Sequence, residues 1–133
     1  MVKFRDTALN NAEFNKCKIM GVIFSECQEF LFSVYFLECK LDYASFMGKK
    51  MLKTKFLKCS LKETNFTQTI LSGSVFDDSD LSGAIFNRTD LTSTNFYSAS
   101  NFTIDPESNI IKKAIFSRDG LPGLLQKYQL KII

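Results

Sequence analysis

The sequence predicts a repeat solenoid, on three observations. Between Cys59 and Tyr97 every fifth residue is large and apolar: Leu61, Phe66, Leu71, Phe76, Leu81, Phe86, Leu91 and Phe96. Two places before each stands a smaller residue: Cys59, Thr64, Thr69, Ser74, Ser79, Ala84, Thr89 and Thr94. A period of five fits neither the helical period of about 3.6 nor the period of about 2 of an amphipathic strand, so a repeat architecture is the consistent alternative.

The same ruler extends toward the start of the chain. Phe4, Leu9, Phe14, Ile19 and Phe24 hold the large column, with Val2, Thr7, Ala12, Cys17 and Val22 in the small one. The register then slips: the next large residues in phase are Leu31, Phe36, Leu41, Phe46, Met51 and Phe56. Two extra residues are therefore expected within 25–30, as a bulge. Beyond Phe96 the pattern loosens, with Phe102 one residue out of phase. A turn is expected over 103–109, where Pro106 cannot donate a ladder hydrogen bond and Asp105 and Asn109 favour turns. Ile111 and Phe116 read as the last fragment of repeat. In the terminal stretch Pro122 suits the first turn of a helix, and Leu121, Leu124, Leu125 and Tyr128 form its apolar face. The closing Leu130–Ile133 alternates like a short strand.

Units such as SDLSG, TNFTQ and TDLTS have a small residue, a polar one, then Leu or Phe. In this the chain resembles the pentapeptide repeat proteins over roughly residues 4–116. The resemblance implies an all-β solenoid, a right-handed quadrilateral β-helix in which five residues make one side and four sides one coil. About five coils are expected over 1–116, with a capping and dimerising helix and a short strand over 117–133. Residues twenty apart then stack at the spacing of neighbouring strands, about 4.8 Å. Phe36, Phe56, Phe76 and Phe96 make one column, Phe46, Phe66 and Phe86 another, and Leu31, Met51, Leu71 and Leu91 a third. The resemblance extends to members that bind DNA gyrase and confer quinolone resistance, and in them a C-terminal helix joins two rods end to end. A homodimer through Leu121, Leu124, Leu125 and Tyr128 is the corresponding expectation. At the other end Phe4, Leu9 and Phe14 begin with no covering helix, so either a partner or second copy covers that coil or the chain is a module of a longer protein.

Candidate chemistry is sparse. The chain has no His or Trp, which removes the commonest metal ligand and general base. The ruler puts Cys17, Cys39 and Cys59 in one inward small column, expected to hold reduced thiols packed as hydrophobes; Cys27 lies in the slip and is the more reactive candidate. Glu29 and Lys49 break the small-column rule. Either they pair inside the coil, or Glu29 swings out and Lys49 reaches water, which is the preferred reading. Without a triad, phosphate loop or metal set, no enzyme, catalytic residue, metal or cofactor is expected. No segment approaches the ~20 apolar residues of a membrane span, and no apolar run near the start reads as a signal. A soluble, cytoplasmic protein is the expectation.

Charge and exposed apolar residues suggest what the surface does. Residues 1–61 carry ten Lys or Arg against six acids, 62–108 two against seven, and 109–133 five against one. In the gyrase-binding members to which the resemblance extends, an acidic rod imitates duplex DNA; here Asp77, Asp78, Asp80 and Asp90 are the candidate mimic face. The chain departs from them in its overall charge of +3 and its lack of long projecting loops. A second candidate surface is FLFSVYFL, where Phe30, Phe32, Tyr35 and Leu37 flank inward Leu31 and Phe36. Contiguous exposed apolar groups mark interfaces, although the bulge or a preceding segment folding over them is an equal alternative. Direct nucleic-acid binding through the lysines of 49–58 is discounted for want of a groove-reading element. A protein-binding rod with an unknown partner is the leading expectation, ahead of DNA mimicry toward gyrase or topoisomerase IV and of a structural or assembly module.

Overall fold

The computed structural model describes residues 12–24, the backbone of 30–32, and 34–133. Phe4, Leu9, Cys27, Glu29 and the 25–29 part of the slip lie outside the described residues. The fold is the right-handed quadrilateral β-helix, its sides short parallel strands. Three are long enough to form one sheet: β1 (Glu13–Asn15), β3 (Tyr35–Leu37) and β5 (Lys55–Leu57) stack in the order β1-β3-β5. On the adjacent side β2 (Phe30–Phe32) pairs with β4 (Lys50–Leu52). Most of the remaining sides are joined from coil to coil by single-residue bridges, such as Ser60↔Asp80 and Val75↔Asn95.

The pairing offset records the slip. Glu13 pairs with Tyr35 and Ile23 with Ser45, twenty-two residues on, whereas Phe30 pairs with Lys50 and every later rung is twenty on. Two additional residues therefore lie between Ile23 and Phe30.

Inside, the large column is a continuous aromatic stack. Phe14, Phe36, Phe56, Phe76, Phe96 and Phe116 lie one above the other at 4.9–5.2 Å between ring centroids, within 11° of parallel. Phe24, Phe46, Phe66 and Phe86 form a second stack at 4.5–5.4 Å. The two stacks meet edge to face, for example Phe66 on Phe76 at 5.7 Å and 82°, an arrangement the ring quadrupoles favour. Leu41, Leu61 and Leu81, with Met51, Leu71 and Leu91, fill the other two walls and are fully buried. Burying each such side chain is worth about 1.5–3 kcal/mol against leaving it exposed.

The small column is chosen for a hydrogen bond as well as for size. Thr69 Oγ1 donates to the Phe46 carbonyl at 2.9 Å, Ser79 Oγ to Phe56 at 3.1 Å, Thr89 Oγ1 to Phe66 at 2.7 Å and Thr94 Oγ1 to Leu71 at 2.9 Å. Each bond reaches one coil back to a carbonyl at a buried corner; at Phe46, Phe66 and Leu71 it joins a backbone N–H donor, from Lys49, Thr69 and Ser74, at 3.0–3.1 Å. Cys39 and Cys59 occupy the same place, their thiols 3.3 Å from the Phe14 and Phe36 carbonyls. They are free thiols. Lys49 stands in this column too, and it is buried, only 5% exposed, so the preferred reading of an ammonium reaching out to water is corrected.

The corners turn through left-handed residues. Lys53, Glu63, Gln68, Asp78, Arg88 and Lys113 all have φ of 51–59°, a region that costs an L-residue roughly 1–2 kcal/mol. The close pairing on both sides of each corner holds them there.

The expected C-terminal helix is present as two 3-10 helices, Arg118–Leu124 and Gln126–Tyr128, the first starting at Arg118 so that Pro122 falls inside it rather than in its first turn. Ser117 caps it, Oγ accepting from Gly120 N–H at 3.2 Å. Residues 130–133 form no strand.

Candidate interaction surfaces

Four faces can be named from the inward residues of one coil: the Leu41, Phe46, Met51 and Phe56 faces, in order around the square. The residue before each inward one points out. On the Leu41 face these are Lys40, Ser60, Asp80 and Ser100; on the Met51 face, Lys50, Ile70, Asp90 and Ile110; on the Phe56 face, Tyr35, Lys55, Val75, Asn95 and Ile115.

The four candidate mimic aspartates do not share one face. Asp80 lies on the Leu41 face and Asp90 on the Met51 face, opposite it. Asp77 and Asp78 follow Phe76 at the corner between the Phe56 and Leu41 faces, and Asp78 is exposed. Asp80 accepts from Ser82 Oγ at 2.6 Å, Ser82 N–H at 3.0 Å and Asn101 Nδ2 at 3.2 Å, with Lys62 Nζ at 3.9 Å. The Ser82 hydroxyl is the main reason its carboxyl is held below the usual range. Asp90 is similarly occupied by Thr92, through Oγ1 at 2.6 Å and N–H at 3.0 Å. Glu63 and Asp42 join Asp77, Asp78 and Asp80 around the Leu41 face, so the acids cluster there and Asp90 stands apart. An outward alternation in sequence does not reveal this; counting modulo twenty does.

The apolar candidates also divide. Tyr35 and Leu37 sit half-buried on β3, between Glu13 and Lys55 and between Asn15 and Leu57 respectively. Phe30 and Phe32 are on β2, on the neighbouring Met51 face, and their side chains lie outside the described residues.

At the C-terminus the quartet Leu121, Leu124, Leu125 and Tyr128 is split by depth. Leu124 packs on the core and Leu125 is half-buried, whereas Leu121 and Tyr128 are 44% and 48% exposed. Leu130 and Ile132, expected only as strand, are exposed as well at 57% and 54%. A clasp holds this segment to the 103–109 turn: Lys127 bridges Asp105 at 3.1 Å and Glu107, and Tyr128 Oη donates to Glu107 at 3.0 Å. The Glu107 backbone N–H lowers the Asp105 carboxyl, and Lys127 lowers that of Glu107.

Two thiols in the column have raised pKa values: burial raises Cys39 and pushes Cys59 up to about 12. Among the described residues no three of His, Cys, Asp and Glu gather to hold a metal, and no helix is long and apolar enough to cross a membrane.

The family model for pentapeptide repeats matches residues 59–96 as eight copies. No curated protein matches the chain in sequence. Among solved structures, QnrB1, a plasmid-mediated fluoroquinolone resistance protein, superposes with a TM-score of 0.81 at 15% identity over 98% of this chain and 63% of its own. HetL, a pentapeptide repeat protein involved in heterocyst differentiation regulation from the cyanobacterium Nostoc, gives 0.64 at 20% identity over 85% and 56%. A pentapeptide repeat protein of the Arabidopsis thaliana thylakoid lumen gives 0.56 at 19% identity over 72% and 69%. The chain thus spans about six tenths of the length of the first two. At these identities the likeness is one of fold.

Proposed function

For a chain whose residues 59–96 are pentapeptide repeats and whose fold is their β-helix, we propose a non-enzymatic, protein-binding role, as a rigid rod joined to a second copy through its C-terminal end. The observation that carries this reading is the gathering of exposed Leu121, Tyr128, Leu130 and Ile132 within one short segment. The repeat interior is filled and its hydroxyls are engaged, so the chemistry left for recognition is on the outside. An end-on contact between two such segments hides apolar groups that a lone rod leaves in water. Sedimentation equilibrium tests it. Twice the chain mass is expected for the wild type and the monomer mass for a Leu130→Asp, Ile132→Asp variant; a wild-type monomer at every concentration tested overturns the dimer.

A second reading is DNA mimicry toward DNA gyrase or topoisomerase IV. It is favoured by the clustering of Asp42, Glu63, Asp77, Asp78 and Asp80 about the Leu41 face. Supercoiling by purified gyrase, with and without a quinolone, tests it. Drug protection or dose-dependent inhibition that Asp77→Lys, Asp78→Lys abolishes supports mimicry. No effect at large excess of folded protein removes it and leaves an unidentified protein partner or an assembly role.

A further inference from the structure

The corner between the Met51 and Phe56 faces differs from the other three. Its two positions stack as Leu52 and Lys53, Ser72 and Gly73, Thr92 and Ser93, then Lys112 and Lys113, locked by Lys53 N–H to Ser72 O at 3.0 Å, Gly73 N–H to Thr92 O at 3.0 Å and Ser93 N–H to Lys112 O at 2.9 Å. None of these positions is acidic. The corner continues to Phe32, which lies beside Leu52 and whose side chain is outside the described residues. In the stretch 52–113 exposed lysines mark both ends, and between them run small residues, with the Lys53 stem passing 3.5 Å from where a Gly73 side chain would begin. Lys50 and Lys55, both exposed, flank the corner at its Lys53 end. At the other end Ile110 and Ile115 flank it, 56% and 48% exposed. Asp90, the acid on the nearby Met51 face, already accepts two bonds from Thr92.

We propose that this corner is a docking edge for an acidic segment of a partner protein, one that carries apolar side chains between its carboxylates. It rests on the reading of the chain as a protein-binding rod and adds a surface distinct from the C-terminal end. Lysines at both ends of a shallow trough complement a chain with separated negative charges. Exposed Ile110 and Ile115 give a phosphate backbone nothing to bind but give a protein an apolar contact, which selects an acidic protein segment over a nucleic acid. The length follows from the coil step. Three steps of about 4.8 Å separate Lys53 from Lys113 by roughly 14 Å, which an extended segment at about 3.3 Å per residue covers in about four residues.

The test is fluorescence anisotropy with a labelled peptide whose glutamates recur every fourth residue and are separated by leucine-containing triplets. Saturable binding is expected, weakened about tenfold by Lys53→Glu, Lys113→Glu, as for two exposed charge contacts reversed. Lys18→Glu, Lys40→Glu changes the net charge equally on the Leu41 face, which does not border this corner, and is expected to shift binding less than about twofold. Matching far-ultraviolet dichroism and thermal midpoints establish that both variants fold. No saturable binding, or equal loss in the two variants, overturns the edge. Displacement of the peptide by a short DNA duplex at equal or lower concentration overturns the protein partner in favour of a nucleic acid. A dimer that ignores the peptide removes the edge alone, and a monomer that binds it removes only the end-to-end dimer.

Discussion

The regular middle of the rod and its C-terminal coil solve the same problem by different means. From Cys59 to Phe96 each side presents one large and one small residue inward, and Phe66, Phe76, Leu71 and Leu81 are fully buried. In the last coil that rule fails on two sides: Asn101 occupies the large column yet is exposed, and Pro106 stands where Phe86 would be repeated. Phe102 and Ile104 turn in instead, and Phe102 lies tilted against Phe96 and Phe116 at 5.5 Å. The hydrogen-bond demand of the corner survives the change of shape. Asn109 takes the small position, accepting from Thr89 N–H at 3.0 Å and donating to Phe86 O at 3.0 Å. The contrast teaches that backbone satisfaction is the stricter requirement, whereas the filling of the interior tolerates substitutes.

That comparison can be broken most directly in the stacks. Phe76→Ala removes a ring held between Phe56 and Phe96 at 4.9 and 5.1 Å, and a loss of about 3–5 kcal/mol is expected in urea unfolding. Phe102→Ala is expected to cost less, because its ring is tilted and its coil is irregular. Equal costs, or a larger one at Phe102, mean that the last coil is packed as tightly as the middle. Next in size is Thr89→Val, which fills the same space and leaves the Phe66 carbonyl without its 2.7 Å donor. The Thr69 N–H still donates to that carbonyl at 3.1 Å, so the cost expected is that of one hydrogen bond, about 0.5–1.5 kcal/mol. An effect near zero makes size alone the rule of that column.

The smallest effect concerns the clasp. Glu107 and Asp105 both have lowered pKa values in the folded state. Their contribution is therefore present above the unfolded carboxylate range near pH 4 and is lost as pH falls through the folded values. The protection of the amides of residues 124–128, taken relative to the intrinsic exchange rate at each pH, is expected to fall below about pH 4 in the wild type. In Lys127→Met it is lower already at neutral pH, while protection in 61–96 stays unchanged. A change that spreads into the middle shows the end to be coupled to every coil rather than to its neighbour.

Most of the interior was legible in the sequence. The columns through Phe36, Phe56, Phe76 and Phe96 and through Phe46, Phe66 and Phe86 stack as expected because a coil of four equal sides turns a linear count into a contact map. The slip was legible for the same reason: a ruler shows where it breaks. Lys49 was misjudged because a long aliphatic stem can reach either inward or outward from the same backbone. The C-terminal helix was legible but its 3-10 type was not, because the apolar spacing of Leu121, Leu124 and Leu125 suits either helix type over so few residues. Surface groupings were the hardest to read. Asp80 and Asp90 are near in sequence and stand on opposite faces, and left-handed corners accept Lys, Glu, Gln, Asp and Arg alike, so they carry no signal of their own.

The offset of twenty has a consequence for how such a gene tolerates change in length. Losing one whole coil removes twenty codons and leaves every remaining side chain on its original face, above a neighbour of the same kind. Losing five shifts all later residues by a quarter turn, sets Leu beneath Phe and moves Asp80 away from the direction it faced. Losing ten restores Phe beneath Phe while exchanging opposite faces, so the interior stays matched as the exterior is reversed. Deletions of whole five-residue units from the regular stretch therefore fall into three grades, in register, reoriented and mismatched, set by a remainder of zero, ten, or five or fifteen on division by twenty.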